Sequence, residues 1–336
     1  MTTIAVDAMG GDHAPLEIVH GAVLAAKEFG VSIRLVGPEN VLQKELKKYS
    51  TENLSIEIVP AYEVVAMGET QPATAVRRKP NSTIVVAMKE VAEGRAGGVV
   101  AAGSTGAAAA AALFCLKRIE GIERPCIAAV IPTHDRPIIL ADAGANVEAT
   151  PEQLLQNAFM GAALFEAIFK KSDPKIGLLN IGEEESKGNN LVKTAHQLFK
   201  NTHSLNFIGN VEGRDIAEGA CDVCVCDGFV GNVFLKTVEG VAKMMAIMLR
   251  EELTRDAKSK IGALFAKDSF YRLRKRIDYS EHGGAQLLGV KGVCVIAHGS
   301  SQHIAVKNAI RVAKEAAEAN IVGITESMIK KLYQEK

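Results

Sequence analysis

The sequence predicts an α/β fold: a mostly parallel sheet with helices on both faces and one projecting helical hairpin. Three observations predict it. Short apolar runs of strand length recur along the 336 residues. Most of them run into loops rich in glycine and small polar residues. After most of these loops comes a stretch with helical spacing of apolar residues. Strand, loop and helix in that order build right-handed βαβ units, whose strands lie parallel. With 48% apolar residues the chain can fill one large core, so residues 1–336 are expected to form a single α/β unit.

Taken in order, Ile4-Ala5-Val6 is a strand that stops at Asp7, before Gly10, Gly11, Asp12 and His13. Such a glycine-acid cluster is also ordinary turn chemistry. "LEIVHGAVLAAKEFG" reads as a helix ended by Gly30. "VSIRLVG" is a strand, Pro38 opens the helix "ENVLQKELKKYS", and "LSIEIVP" alternates as a strand. "AVRRKPNST" gathers Arg77, Arg78 and Lys79 before a helix cap at Asn81 or Ser82; it is either a solvated loop or a lure for an acidic partner or phosphate.

"GGVVAAGSTG" is a buried strand meeting Gly103, Ser104, Thr105 and Gly106, followed by an alanine-rich helix, Ala107–Lys117. "PIILADAGAN" is a strand ending in Asp142, Gly144 and Asn146. Thr150-Pro151-Glu152-Gln153 is a capping box with proline at the first helical position. "KIGLLNIG" leads through Asn180, Gly182, Lys187 and Asn189 to the helix "NLVKTAHQLFK", and "NFIGNVEGRDI" repeats the plan. "CDVCVCDGFVGN" carries Asp227, Gly228 and Asn232 into a long helix from about Val233, and "GVCVIAHGSS" leads to the last helix. In a parallel sheet, loops after the strand C-termini gather along one edge. GGDH, GSTG, DAGAN, NIGEEESKGN, DGFVGN and AHGSS are therefore expected to share one crevice. Its glycines admit close backbone approach and its helix N-termini favour an anion.

Residues 241–282 break this grammar with "VAKMMAIMLREELTRDAKSK" and "FYRLRKRID", an inserted helical hairpin. Val241, Met244, Met245, Met248 and Leu249 form an apolar stripe that a two-fold partner would cover as a four-helix bundle. At the tip, Ile261, Leu264 and Phe265 stand among Lys258, Lys260 and Lys267. They either cap that bundle or form a foot against an anionic membrane.

Composition excludes several classes. Lys+Arg equals Asp+Glu at 39 each, tryptophan is absent and aromatics are 5%, so no nucleic-acid partner is expected. No apolar run reaches the ~20 residues of a membrane span, and the N-terminus lacks the pattern of a signal peptide. The six cysteines are expected as free thiols in a reducing, cytoplasmic setting. In "CDVCVCD" the CxxC pair would point to opposite faces of a strand, which argues against a metal. GxGxxG after the first strand, GxxxxGK[ST] and HExxH are all missing, and no cofactor is expected. "AGSTG" is close to a nucleophile elbow, with Ala102 at its first position. Ser104 is then either a hydrolase nucleophile or a helix cap beside an anion.

"AVDAMGGDHAP", "AGSTGA", "ADAGAN", "NIGEEESKGN", "CDGFVGN" and "EHGGAQLLGVKGVCVIAHGSS" together resemble the PlsX family of bacterial phosphate acyltransferases. The resemblance spans nearly the whole chain, with Ser104 where asparagine is common in the family. It implies a Rossmann-like three-layer αβα sandwich similar to phosphotransacetylases. It also implies transfer of a long-chain acyl group from acyl carrier protein to inorganic phosphate, for phospholipid synthesis. A homodimer, peripheral membrane association and a downstream glycerol-3-phosphate acyltransferase are implied as well. A small-acyl coenzyme A phosphotransacetylase and a non-catalytic membrane scaffold are the alternatives.

Phosphate is itself a nucleophile, so the site needs only to bind it, place it and stabilise an oxyanion. Lys187 is the candidate for phosphate charge; otherwise it balances Glu183–Glu185. Asn180 and Asn232 are polar contacts or turn residues. Asp227 orients a phosphate proton or a loop amide, or simply caps a helix. His13 and His282 are donors or acids, or surface residues. The remaining loop positions, Asp7, Gly10, Gly11, Asp12, Gly103, Ser104, Thr105, Gly106, Asp142, Asn146, Gly182, Asn189 and Gly228, are expected around the substrates.

Overall fold

The computed structural model describes residues 1–277 and 283–334. Its strands are β1 (Thr3–Asp7), β2 (Ser32–Gly37), β3 (Ile56–Pro60), β4 (Gly98–Ala101), β5 (Cys126–Ile131), β6 (Ile138–Ala141), β7 (Ile176–Asn180), β8 (Phe207–Glu212), β9 (Val223–Val225), β10 (Ala285–Leu288) and β11 (Val293–Ile296). Its helices are α1 (Leu16–Phe29), α2 (Glu39–Leu46), α3 (Pro72–Arg78), α4 (Thr83–Ala92), α5 (Thr105–Cys115), α6 (Pro151–Phe169) and α7 (Asn190–Lys200). They continue as α8 (Gly213–Glu218), α9 (Gly228–Thr254), α10 (Ala257–Phe265), α11 (Lys267–Ile277), α12 (His303–Glu318) and α13 (Ile321–Gln334).

The eleven strands among the described residues form one sheet in the order β3-β2-β1-β4-β11-β10-β5-β6-β9-β7-β8. Its middle strands are Val, Ile, Ala and Leu runs buried on both sides, as strands covered by helices on both faces must be. One apolar core packs α1, α2, α6, α7, α12 and α13 on one face. A second packs α3, α4, α5, α8 and the start of α9 on the other. The chain is thus a three-layer α/β structure. Thr150 and Gln153 form the expected capping box at α6, and Gly30 ends α1 with φ 59°.

The single shared edge is not what forms. β1, β2, β3, β4 and β11 are mutually parallel, and β6, β7, β8 and β9 are mutually parallel. Between the two sets, β10 runs antiparallel to both β11 and β5, and β5 runs antiparallel to β6. The two sets therefore point in opposite directions. The loops GGDH, GSTG and AHGSS gather at one edge; DAGAN, DGFVGN and NIGEEESKGN gather at the other. The cause is two strands joined to their neighbours without a helix, β5 to β6 and β10 to β11, which reverse the sheet.

Two smaller expectations also change. The long helix starts at Gly228 rather than Val233, because Asp227 caps it, accepting from the N–H groups of Phe229 (3.0 Å) and Val230 (2.9 Å). Cys221 and Cys224 do not face apart: β9 begins only at Val223, and Cys221, Cys224 and Cys226 all belong to the same buried core. A neighbouring Cys221 and burial hold the Cys224 thiol well above its ordinary range.

Residues 241–282 comprise the outer part of α9, then α10 and α11, with 278–282 outside the described residues. The inner end of α9 lies on the sheet. Its outer end, with Val241, Met244, Met245, Met248 and Leu249, is exposed. No helix among the described residues is long and apolar enough to cross a membrane.

Candidate functional site

At the first edge, the loops after β1, β4 and β11 interlock. A Cβ on Gly10 would lie 2.8 Å from the Gly103 backbone nitrogen, so only glycine lets these loops meet. Asp12 donates its backbone N–H to the Gly299 carbonyl at 2.8 Å, which ties in the AHGSS loop. Asp7 is buried beneath this junction and accepts from the Met9 N–H at 3.2 Å. Burial pushes its carboxyl up to about 6, against the opposing N–H donors of Met9 and Gly10.

That shift has a measurable sign. The unfolded carboxyl releases its proton near 3.8 and the folded one near 6, so the folded state binds more protons in between. Asp7's contribution to stability therefore falls as pH rises from about 4 to about 6, by up to about 3 kcal/mol. Asp7→Asn is expected to flatten the pH dependence of the urea midpoint across that window; an unaltered slope would refute the assignment.

Ser104 caps α5, its Oγ accepting from the Ala107 N–H at 3.4 Å, and Thr105 and Gly106 open the helix, with Gly106 against Pro72. Ser104→Ala is expected to cost about 1 kcal/mol of stability and to keep appreciable turnover. A folded but inactive variant, with an acyl-serine peptide trapped in the unsubstituted protein, would instead establish a covalent serine mechanism. His13 is exposed. In the basic segment, Lys79 is committed to the Val64 carbonyl at 2.8 Å and Arg77 stacks on Phe114 at 4.7 Å.

The second edge is organised by Asp142, which is fully buried. Its Oδ1 accepts from the N–H groups of Ile127 (3.2 Å), Gly144 (2.9 Å) and Ala145 (2.8 Å). Its Oδ2 accepts from the Asn146 N–H (2.9 Å) and side-chain amide (2.8 Å). Burial pushes this carboxyl up, and the converging donors only partly reverse it. Asn146 also donates to the Pro125 carbonyl and accepts the Gly228 N–H at 2.7 Å. Asn232 donates its amide to the Ala143 carbonyl at 3.1 Å. Asp142, Asn146, Asp227, Gly228 and Asn232 thus lock the loops after β6 and β9 into one rigid base.

Beside them, the loop after β7 is pinned from within. Asn180 accepts the Ile181 N–H at 2.8 Å and donates to the Lys187 carbonyl at 3.2 Å. Gly182 is buried beneath the Lys187 stem. Asn189 caps α7 by accepting the Val192 N–H at 3.0 Å. Asn210, which sequence reasoning missed, donates to the Glu184 carbonyl at 3.0 Å and accepts from His196 Nδ1 at 3.0 Å through its Oδ1. Both lie outside the glycine-loop motifs, on β8 and α7, so no local pattern flags them. The Lys187 side chain is exposed and makes no ion pair among the described residues, whereas Glu185 is bound to Lys200 at 2.6 Å. His282 lies outside the described residues.

The structure therefore brings Asp142, Asn146, Asp227, Gly228 and Asn232 together, sets Asn180, Gly182, Lys187 and Asn189 on the same edge, and leaves Asp7, Gly10–Asp12 and Gly103–Gly106 on the other. An exposed ammonium on a braced loop, ahead of a capped helix N-terminus, suits a small dianion.

Comparison with known proteins adds to this geometry. The profile of the family described as fatty acid synthesis protein matches residues 2–323. A phosphate acyltransferase of Desulforamulus reducens is 51% identical over 329 residues, covering 98% of each chain. One of Nostoc punctiforme is 50% identical over 321 residues, covering 95% of this chain and 94% of the relative. Among solved structures, a phosphotransacetylase from Streptococcus pyogenes superposes with a TM-score of 0.64 at 16% identity, covering 94% of each chain. The phosphotransacetylase EutD from Staphylococcus aureus gives 0.60 at 16% identity, also covering 94% of each.

Proposed function

Because this chain belongs to the fatty acid synthesis protein family, with phosphate acyltransferases as relatives at about half identity, we propose that it passes a long-chain acyl group from acyl carrier protein to inorganic phosphate. It is an acyltransferase. A phosphate oxygen attacks the thioester carbon, the carbon–sulfur bond breaks, and the carrier thiolate leaves to take up a proton. The product is an acyl phosphate. A thiol of pKa about 8.5 leaves readily near neutral pH, so the protein's share is binding, placement and oxyanion stabilisation.

Lys187 carries the reading: its exposed ammonium makes no ion pair among the described residues, and Glu185 of the same loop is bound to Lys200. It holds phosphate over the N-terminus of α7. The second amide hydrogen of Asn232 supplies a further polar contact. Sheet twist of ~20–25° per strand accumulates to roughly 110° over the five steps from β4 to β9. A rotation of that size would bring the two opposed loop sets onto neighbouring sides, which supports service of one reaction by both. The exposed Arg78 beside α5 supports attraction of an acidic carrier.

The test is mass spectrometry of the purified protein with palmitoyl-carrier protein and phosphate. Acyl phosphate and free carrier thiol are the expected products. Their absence, or faster turnover of acetyl-coenzyme A, would replace this reading with the small-acyl one.

The 241–282 segment is read as the dimer and membrane element, two-fold related through the α9 stripe. Its tip residues Leu264 and Phe265 are 70% and 87% exposed among lysines, which supports contact with anionic head groups. Membrane contact would release a lipophilic, water-labile product beside a downstream glycerol-3-phosphate acyltransferase. The double variant Leu264→Glu/Phe265→Glu is expected to stay dimeric and active, yet to stop co-sedimenting with anionic liposomes. Unaltered sedimentation refutes the foot, and dissociation into monomers makes the tip a bundle cap.

A further inference from the structure

Glu17 and His20 lie one turn apart on α1, on the same side of the helix. His303, at the start of α12, meets them from 286 positions beyond Glu17. Glu17 Oε2 accepts the His303 backbone N–H and pairs with its ring Nδ1, each at 2.7 Å. The His20 and His303 rings stack with centroids 4.2 Å apart, and Tyr49 stacks on His20 at 5.1 Å. One donor atom from each of Glu17, His20 and His303 lies within 4.8 Å of the other two. All three side chains are partly exposed, so a cation can enter from solvent.

We propose that Glu17, His20 and His303 bind one divalent ion of the zinc class, clamping α1 to α12. Two imidazole nitrogens and one carboxylate oxygen are a zinc donor set, with water in the fourth position. Hard cations such as calcium and magnesium prefer oxygen alone. Tetrahedral bonds of ~2.0–2.2 Å set donor atoms about 3.3 Å apart, so the Glu17–His303 pair opens by only about half an ångström. Imidazole and carboxylate ligands must be deprotonated to bind the ion, so binding weakens in acid. Stacked rings rotate about their side-chain bonds to present these nitrogens.

The site has a consequence for the first edge. α1 follows the loop of Gly10–His13, and α12 follows the loop of Gly299. Those loops already share the Asp12–Gly299 hydrogen bond; a bound ion would cross-link the helices behind them. None of the three ligands touches the phosphate site, so the clamp is structural.

The test uses untagged, chelator-stripped protein titrated with Co²⁺ and then Zn²⁺. One equivalent of Co²⁺ should give visible bands of low coordination number, which Zn²⁺ abolishes. His20→Gln and His303→Gln should each weaken binding at least about tenfold. Independently of how the variants fold, Co²⁺ should broaden the ring resonances of His20 and His303 among the eight histidines. The clamp is overturned if neither ion binds stoichiometrically at about 100 μM, if those two resonances do not respond, or if thiolate-to-cobalt bands place the ion on cysteines. Glu17 would then act only as a cap for α12.

Discussion

Lys187→Ala is expected to lower kcat/KM for phosphate by about 100-fold, close to 3 kcal/mol, with little effect on the urea midpoint. The magnitude is that of a charge-assisted hydrogen bond to an anion, removed at a solvent-exposed position. The loop should survive, because the lysine's own backbone holds it: the Lys187 carbonyl accepts from Asn180 and its N–H donates to the Glu184 carbonyl. Lys187→Arg should also be impaired, since a planar fork does not replace a compact ammonium. The measurement is initial rate against phosphate well below saturation, with circular dichroism as the folding control. An unchanged rate there removes Lys187 from the site.

Gly231→Ala should have the largest effect on stability. An added Cβ would fall deep inside the radius of the Asp142 carbonyl oxygen, with the Cys226 sulfur 2.9 Å away. Neither neighbour is the free end of a flexible chain. The first turn of α9 must lift off, and with it the Asn232–Ala143 and Gly228–Asn146 hydrogen bonds. A loss of about 4 kcal/mol or more is expected, beyond ordinary overpacking. Gly240→Ala in the same helix meets nothing within 4 Å, and should stabilise by about 0.5–1 kcal/mol through helix propensity. Equal urea midpoints for the two variants would show that the close approach does not matter.

Much of this was legible in the chain, and the misses have one physical origin. Strands followed by a glycine loop and an amphipathic helix announce themselves, because period 2 gives way to period 3.6 across a breaker. β1, β2, β7 and α1, α6, α7 follow that rule. "CIAAVI" and "AQLL" do not: each turns back through a short connection into the next strand, and no helix follows to mark it. Because these are the strands that reverse direction, overlooking β5 and β10 made the loop edges look like one. At the site, short-range caps such as Asp227 and Asn189 could be read from spacing. The five donors around Asp142 could not, since one comes from Ile127 on another strand and the others depend on how the loop curls. The Glu17–His20–His303 cluster has no local signature either.

The central position of β10 and β11 bears on how the chain leaves the ribosome. Residues 285–296 fill the gap between β4 and β5, whose own residues emerge far earlier. Until residues 285–296 are synthesised, the nascent chain carries two bare strand edges of Val, Ile and Ala backbone, in an arrangement that invites pairing with other chains. Neither half can finish its sheet alone, and the closing strand pairs, such as Val293 with Gly98, join residues far apart in the sequence. The fold therefore closes only once residues 285–296 have emerged, and until then the bare edges are open to pairing with other chains.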